Sequence, residues 1–193
     1  MSENPPVQIV KAPGGVLKTA FVGGASKGIG RAVAKHLASR GVRVIACGRT
    51  KEELDSLVAE LPLIEVPGPS PIETELKTHK AFVCDLSKTA ELEDRLKGLV
   101  REMGAIDILI LNSGGPKGGP ILDASPAEFE AAMQAHLHAN HILAKMYIPG
   151  MKARGAGRII AVLSTSVKNP IPNLGVSNAT RWAVAAWAKA LAG

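Results

Sequence analysis

Sulfur-containing and aromatic side chains are scarce in this chain of 193 residues. Its two cysteines, Cys47 and Cys84, are too few to form a disulfide framework or a metal site by themselves. We expect both to be small buried residues in a reducing compartment. Aromatic residues make up 3% of the chain, so the core must consist mainly of aliphatic side chains. Tyr147 is the single tyrosine, which limits any chemistry that needs a phenol.

Long runs of one chemical character are also absent. No apolar stretch is long enough to cross a bilayer, and residues 1–6 are polar and contain prolines, unlike a signal peptide. The net charge is +6, but the basic residues are spread along the chain without a long run or interleaved aromatics. This favours a solvated basic surface with a phosphate-binding corner over a nucleic-acid interface. We therefore expect a soluble, cytoplasmic protein that binds no membrane, nucleic acid or metal.

The chain does have a regular alternation of apolar runs and helical periodicity. Strands that alternate with helices form a parallel sheet with right-handed crossovers, so the predicted fold class is α/β. We expect a loose arm over residues 1–15, a single domain over 16–193 and a proline-containing surface excursion over 62–78. The predicted strands are residues 16–22, 42–47, 80–84, 106–111 and 158–163, and the predicted helices are 28–40, 51–61, 89–103, 126–147 and 176–191.

A glycine-rich turn stands between the first predicted strand and the first predicted helix. Gly24 allows a tight turn, Gly28 allows the backbone to approach a pyrophosphate, and Gly30 allows the helix to pack close to the strand. The helix that starts here offers N–H groups and the positive end of its dipole. The turn, with Ser26 and Ile29, therefore predicts a dinucleotide-phosphate site; the alternative is a chance glycine turn.

The glycine spacing is Gly-x-x-x-Gly-x-Gly, and three more motifs follow along the chain. Asp85 ends a strand, residues 111–115 read Leu-Asn-Ser-Gly-Gly, and residues 157–164 form a strand that ends in a serine. In this order the motifs resemble those of the short-chain dehydrogenase/reductase family, from about residue 16 to the last residue. The resemblance implies a Rossmann-type, doubly wound sheet with strand order 3-2-1-4-5. The family's last strands have no counterpart, so we expect a truncated chain or a reduced variant.

The end of the second predicted strand bears on the choice of cofactor. NAD-preferring members of such families place an acid here for the ribose hydroxyl, but this chain has Arg49 instead, and Lys27 lies in the glycine turn. Two cations suit a 2′-phosphate, because they neutralise it and arginine offers a planar pair of donors. We therefore expect NADP (NADPH) rather than NAD. The alternative is that Lys27 and Arg49 are ordinary surface residues.

Further cofactor contacts are implied by the resemblance alone. Asp85 and Leu86 match positions that the family uses against the adenine ring, although Asp85 could equally be a turn or N-cap residue. Asn112 matches the first asparagine of the Asn-Asn-Ala-Gly signature, and Gly114 lies in the same motif. Ser113 departs from that signature, which weakens a side-chain network but leaves the backbone cradle in place.

The family's catalytic tyrosine and lysine are replaced. Ser164 matches the catalytic serine and His136 approximately matches an asparagine on the fourth helix, whereas Ser177 and Arg181 stand where the family has Tyr-x-x-x-Lys. An alkyl hydroxyl is a weaker acid than a phenol and is too short to reach the same point. Arg181 can hold a ribose or polarise an oxyanion, but it does not shuttle protons near neutrality.

Another acid would therefore be needed to protonate a reduced carbonyl. His136 and His138 are candidates, since histidine titrates near neutral pH. We favour the alternative that both histidines face solvent or a dimer interface, because position alone does not supply proton-transfer geometry.

Ser-Asn-x-x-Arg over residues 177–181 resembles a subgroup of the family that is generally labelled 3-oxoacyl-carrier-protein-reductase-like. The resemblance implies an NADP-dependent oxidoreductase that reduces a carbonyl (3-oxoacyl-like) or oxidises a secondary alcohol with atypical proton chemistry. The alternatives are a non-catalytic nucleotide-binding protein and an inactive truncated member. Small and apolar residues on the last helix, among them Ala186 and Trp187, resemble the family's dimer helices, so we expect a homodimer through helices four and five.

Overall fold

The computed structural model describes residues 8–70 and 73–193 and has the expected α/β alternation. The strands are β1 (Ile9–Lys11), β2 (Lys18–Val22), β3 (Val42–Gly48), β4 (Leu63–Pro67), β5 (Thr74–Lys77), β6 (Lys80–Val83), β7 (Ile108–Leu111) and β8 (Arg158–Ala161). The helices are α1 (Gly28–Ser39), α2 (Lys51–Glu60), α3 (Thr89–Met103), α4 (Pro126–Met133), α5 (Ala139–Ala153) and α6 (Gly175–Ala192). A π-helical segment, Gln134–His138, joins α4 to α5.

Five strands form the main sheet in the order β6-β3-β2-β7-β8. In the numbering of the five predicted strands this is 3-2-1-4-5, so the expected order is confirmed. The central pairs are parallel, with Ala20 opposite Val44 and Ala46 opposite Ala81. The residues group into two compact units, Met1–Cys84 with Ile106–Leu109, and Asp85–Ala105 with Ile110–Gly193. The single domain expected over residues 16–193 stays a prediction.

The first unit has an aliphatic core around β2 and β3. Apart from half-buried Arg43, every residue of β3 is buried, as expected for a parallel strand covered on both faces. Leu54 and Leu57 of α2 are fully buried beside it. Cys47 and Cys84 are both buried, as expected. No helix in the described part of the chain is long and apolar enough to span a membrane.

A second, three-stranded sheet in the order β1-β4-β5 corrects two expectations. The loose arm predicted over residues 1–15 is wrong for residues 9–11, which pair in parallel with β4; residues 1–7 lie outside the described part. The surface excursion predicted over 62–78 contains β4 and β5, which pair antiparallel. A small cluster of Ala12, Ile64 and Val66 holds this sheet together. Its strands were missed because they are short and bordered by prolines.

The second unit is mostly helical. The four apolar residues that repeat along α3, Leu92, Leu96, Leu99 and Met103, are all buried, as their spacing predicts. The helix predicted to end near Pro149 is wrong at that end, because α5 continues to Ala153 with Pro149 inside it. The backbone instead turns at Gly155, which has φ +65°, a conformation that favours glycine and ends helices.

His79 is a buried side chain that ties three segments of the first unit together. Its Nδ1 accepts a hydrogen bond from the Val44 N–H at 2.9 Å, and its Nε2 donates to the Pro62 carbonyl at 2.7 Å. Both bonds together require a neutral ring. Burial lowers the pKa of His79, the charge of Arg43 lowers it further, and the bond to Pro62 partly offsets these effects.

Acid should therefore destabilise the fold through this ring. Because the pKa of His79 is lower in the folded chain, the unfolded chain takes up the proton first as pH falls below about 6.5, and stability is lost. His79→Gln should cost about 1–3 kcal/mol at pH 7.5, since a buried partner loses its bond. It should then lose less stability than the wild type between pH 7.5 and pH 5.5, measured by urea unfolding.

His36→Gln is the matched control, because His36 lies exposed on α1. It should behave as the wild type at both pH values. An unchanged acid sensitivity in His79→Gln would show that this ring does not carry the effect.

Candidate functional site

The glycine turn lies between β2 and α1 and is fixed to the end of β3. The Ala25 N–H donates to the Cys47 carbonyl at 2.8 Å. A β-carbon on Gly48 would lie 2.3 Å from the Ser26 Oγ, so any larger residue here would force the Ser26 hydroxyl to move away from this strand. Gly24 and Gly28 have φ of +57° and +53°, the left-handed region that favours glycine. The predicted turn is therefore present, and the left-handed conformations of Gly24 and Gly28 account for two of its glycines.

The N-terminus of α1 is open. Gly28 begins the helix, and among the described residues no side chain caps it and no acidic residue lies in its first turn. A β-carbon on Gly28 would meet nothing within 4 Å, so the glycine is required here by its positive φ and not by crowding. Gly30 is buried and Ile29 is exposed beside it. Free N–H groups at the positive end of a helix suit a phosphate.

Two of the predicted cations lie at this corner, within the same unit. The Lys27 side chain is 78% exposed, and its Nζ pairs with Glu53 Oε1 at 2.8 Å. Arg49 is exposed immediately after β3. Neither side chain is buried in the core, so both can reach a ligand from solvent, although Lys27 would have to leave Glu53 to do so. Glu53 is an acidic residue that sequence reasoning did not place here.

Arg31 is a further residue that sequence reasoning missed. It is half-buried, and its Nη1 donates to the carbonyl oxygens of Glu53 at 3.0 Å and Ser26 at 3.4 Å. Its Nη2 pairs with Glu60 Oε1 at 2.6 Å. Arg31 therefore braces the glycine turn against α2. The only sequence signal was an arginine directly after Gly30, on the face that the helix turns towards the sheet.

In the second unit, Asp85 forms a turn. Its Oδ1 accepts hydrogen bonds from the Ser87 N–H at 3.0 Å and the Ser87 hydroxyl at 2.8 Å. These contacts are those of a turn residue, which was the alternative to a contact with the adenine. Leu86 is buried. Asn112 is half-buried and Gly114 is exposed, both directly after β7. This is the carboxyl end of a parallel strand, where α/β sheets bind ligands.

His136 does not face solvent, which corrects the expectation. It is 2% exposed, and its Nδ1 lies 2.6 Å from the Ser113 Oγ, within hydrogen-bond distance. His136 lies in the π-helical segment, where the wider turn adds a residue and shifts the helix face. Burial, with the nearby charge of Arg181, lowers the pKa of His136 to about 4. His138 is exposed, as expected.

Ser164 has its hydroxyl oriented by the backbone. It follows β8 and caps a short turn, Thr165–Val167, by accepting a hydrogen bond from the Ser166 N–H at 3.1 Å. Its hydroxyl proton is then left to donate elsewhere. The Ser166 carbonyl accepts from the Trp182 Nε1 at 2.8 Å, which fastens this turn to α6.

Ser177 and Arg181 lie one turn apart on α6, both half-buried. The Arg181 Nη1 donates to the Val162 carbonyl at 3.2 Å, close to Ser164 in sequence. Burial lowers the pKa of Arg181. The intervening Asn178 has a structural role that sequence reasoning missed: its amide bonds both the N–H and the carbonyl of Ile171, at 3.3 and 2.8 Å.

An open pocket of ≈ 440 Å³ lies beside α6, within the second unit, and Ser164, Ser177 and Arg181 are not among the residues that line it. Its walls are largely apolar and come from the Pro170–Asn173 loop, α6 and the segment after Pro120. The lining residues are Ile121, Pro170, Ile171, Pro172, Asn173, Gly175, Asn178, Ala179 and Trp182.

Comparison with known proteins assigns the chain to a family. The model of the family described as short chain dehydrogenase matches residues 18–193. The chain belongs to the short-chain dehydrogenase family. It is 31% identical over 176 residues to dehydrogenase/reductase SDR family member 4 of Sus scrofa, which covers 91% of this chain and 59% of that protein.

Two further relatives bear on the family assignment. An NADPH-dependent pterin aldehyde reductase of Arabidopsis thaliana is 27% identical, over 91% of this chain and 68% of that protein. The structure of a metagenomic short-chain oxidoreductase in complex with NADP is 29% identical, with a TM-score of 0.76 over 90% of this chain and 74% of that one. This short-chain dehydrogenase spans about 59% of the length of its Sus scrofa relative.

The effect of the Arg181 charge on the pKa of His136 should be measurable. Because the guanidinium lowers the pKa of His136, Arg181→Gln should raise it above about 4. The value should stay below the ordinary 6.5 or so, since burial is the larger cause. Titration of the ring C–H resonances by NMR measures both.

Arg158→Gln removes an exposed arginine from β8 in the same unit and serves as the control. It should leave the His136 titration in place. If Arg181→Gln leaves the titration midpoint of His136 unchanged, the charge of Arg181 does not affect this ring. If the midpoint rises to the ordinary histidine value, burial is not the larger cause of the low pKa.

Proposed function

We propose that this short-chain dehydrogenase binds NADP(H) through the glycine turn. The observation that carries the proposal is the open start of α1, flanked by exposed Lys27 and Arg49, with no acid at the end of β3. The helix N-terminus would hold the pyrophosphate, and the two cations would hold the 2′-phosphate. The relatives named for NADPH and NADP support this assignment.

The remaining cofactor contacts that we propose rest on the resemblance to the family's motifs. Leu86 and Asp85 would lie against the adenine, and Asn112 and Gly114 would border the cofactor after β7. Ser26 would act indirectly, because its hydroxyl is packed on Gly48 and shapes the turn.

Calorimetric titration tests the cofactor directly. We expect micromolar affinity for NADPH and at least tenfold weaker affinity for NADH. Arg49→Gln should lose about tenfold for NADPH, the equivalent of one charge-assisted hydrogen bond of about 1.4 kcal/mol, with little change for NADH. Arg40→Gln, an exposed arginine after α1, is the control. Equal affinities for the two nucleotides in the wild type would refute the assignment.

We further propose that the chain reduces a carbonyl or oxidises a secondary alcohol. When bound, the nicotinamide supplies or accepts the hydride. Ser164 would donate a hydrogen bond from its hydroxyl to the carbonyl oxygen, since it already accepts one from the Ser166 N–H and its O–H stays able to donate. Arg181 would stabilise the developing negative charge without giving up a proton.

The proton chemistry would be atypical. His136 is neutral at pH 7 with a pKa of about 4, so it would position Ser113 and not act as an imidazolium acid. Ser177 is an alcohol that can relay a proton but is a weak acid. We propose that the proton reaches the product oxygen from water, because none of these side chains is a good acid at neutral pH, which makes the reaction slow.

The substrate class that we propose is 3-oxoacyl-like. The apolar pocket beside α6 supports this, because its walls suit the hydrocarbon part of such a substrate. Its rim lies near Trp182, which is bonded to the turn that holds Ser164.

Loss of Ser164 should abolish most turnover. With a 3-oxoacyl thioester, Ser164→Ala should lower the rate of NADPH oxidation by about 100-fold, the usual effect of removing one donor to a developing oxyanion. Its affinity for NADPH should be unchanged. Ser39→Ala, an exposed serine of α1, should retain the wild-type rate.

The same assay separates this activity from a second candidate function, nucleotide binding without catalysis. The absence of a tyrosine on α6 favours that candidate. It would be identified by tight NADPH binding without oxidation of NADPH by any carbonyl tested. Unchanged turnover in Ser164→Ala would instead contradict the proposed role of the serine.

The homodimer and the cytoplasmic location stay predictions. Ala186 and Ala190 are exposed on α6, which supports a packing face of small residues there. The two reduced cysteines are compatible with a reducing compartment.

A further inference from the structure

Glu53 pairs with Lys27 at the phosphate corner, which consists of the glycine turn with the start of α1, Lys27 and Arg49. Glu53 Oε1 lies 2.8 Å from the Lys27 Nζ, and the Glu53 side chain is only 30% exposed whereas that of Lys27 is 78% exposed. The pair lies beside the open start of α1, where the proposed function requires Lys27 for a phosphate.

The position of Glu53 is fixed by its backbone. Its carbonyl accepts a hydrogen bond from the Arg31 Nη1 at 3.0 Å, and the same guanidinium nitrogen reaches the Ser26 carbonyl. The next residue, Leu54, is fully buried and packs close to Gly48. The Glu53 carboxylate is therefore kept at the rim of the glycine turn, whereas the Lys27 ammonium is on a long, exposed and mobile side chain.

The second carboxylate oxygen of Glu53 is not compensated. Its Oε2 is buried and has no hydrogen-bond partner among the described residues. A buried acceptor without a donor is unfavourable, and Lys27 is the only ion-pair partner of this carboxylate among the described residues. A phosphate that approached Lys27 would both compete for the ammonium and be repelled by this carboxylate.

We propose that Glu53 sets the preference between NADPH and NADH by competing with the 2′-phosphate for Lys27. This rests on the proposed function. Lys27 and Arg49 provide two positive charges for the phosphate, and Glu53 cancels one of them. NADH has no 2′-phosphate, so its binding is insensitive to the pair. Glu53 thus lowers the affinity for NADPH below what the two cations alone would give.

Calorimetric titrations of NADPH, NADH and 2′,5′-ADP test this proposal. Glu53→Gln should bind NADPH and 2′,5′-ADP about two- to fivefold more tightly than the wild type, the range expected when a partly exposed ion pair is removed. NADH affinity should not change. The gain should shrink as salt is added, because screening weakens both the pair and the repulsion.

Two variants separate the ion pair from a general charge effect. Glu52→Gln removes the neighbouring exposed carboxylate of the same turn and should leave all three affinities as in the wild type. Lys27→Met should weaken NADPH binding, and Glu53→Gln should give a smaller gain in that background than in the wild type, because the repulsion by the carboxylate remains but the competition for the ammonium is gone.

The outcomes are distinct. Wild-type NADPH affinity in Glu53→Gln, equal gains for NADPH and NADH, or an equal gain in Glu52→Gln would each overturn the role of Glu53. Wild-type chain that binds neither NADPH nor 2′,5′-ADP would overturn the proposed cofactor, and the role of Glu53 with it. If the wild type binds NADPH tightly and Glu53→Gln binds it with the same affinity, the proposed cofactor is supported and only the role of Glu53 is rejected.

Discussion

The close contact between the glycine turn and the end of β3 is the constraint on which the cofactor corner depends. Ala25 is bonded to the Cys47 carbonyl, and Ser26 occupies the space that a β-carbon on Gly48 would fill. Because the turn is held there, α1 begins at Gly28 with no capping side chain among the described residues. Arg31 can then reach back to the Ser26 carbonyl and across to α2. The geometry of the corner is thus set by the contacts between the turn and β3, and the hydrogen bonds of Arg31 reinforce it.

Much of this architecture was predictable because it depends on residue type at short range. Glycines at the turn, apolar runs in β3 and the spacing of leucines in α3 are each read from a few neighbouring residues. The small second sheet was not, since β1 has three residues and β4 follows Pro62 and ends in Pro67. The burial of His136 was not either, because a single wide turn changes which face of the helix points inward, and periodicity does not reveal it.

The departures from the family's catalytic pattern have structural consequences of their own. Arg181 spends one donor on the Val162 carbonyl, and Asn178 bonds both backbone groups of Ile171. These contacts fix the strand and the loop on either side of Ser164. Residues 177–181 therefore act partly as a brace for the segment around the serine, a role that a motif based on proton chemistry does not disclose.

Charge at the phosphate corner is balanced by acidic residues of α2. Lys27 pairs with Glu53, Arg31 with Glu60, and Lys35 with the other oxygen of Glu60. In the described part of the chain, Arg49 has no carboxylate partner, so it offers its full charge to a ligand. A net charge of +6 therefore does not make this corner strongly basic. The selectivity of the site should depend on how the Lys27 ammonium is divided between a fixed carboxylate and an arriving phosphate, and this division is decided by residues on α2 that a motif centred on the glycine turn does not include.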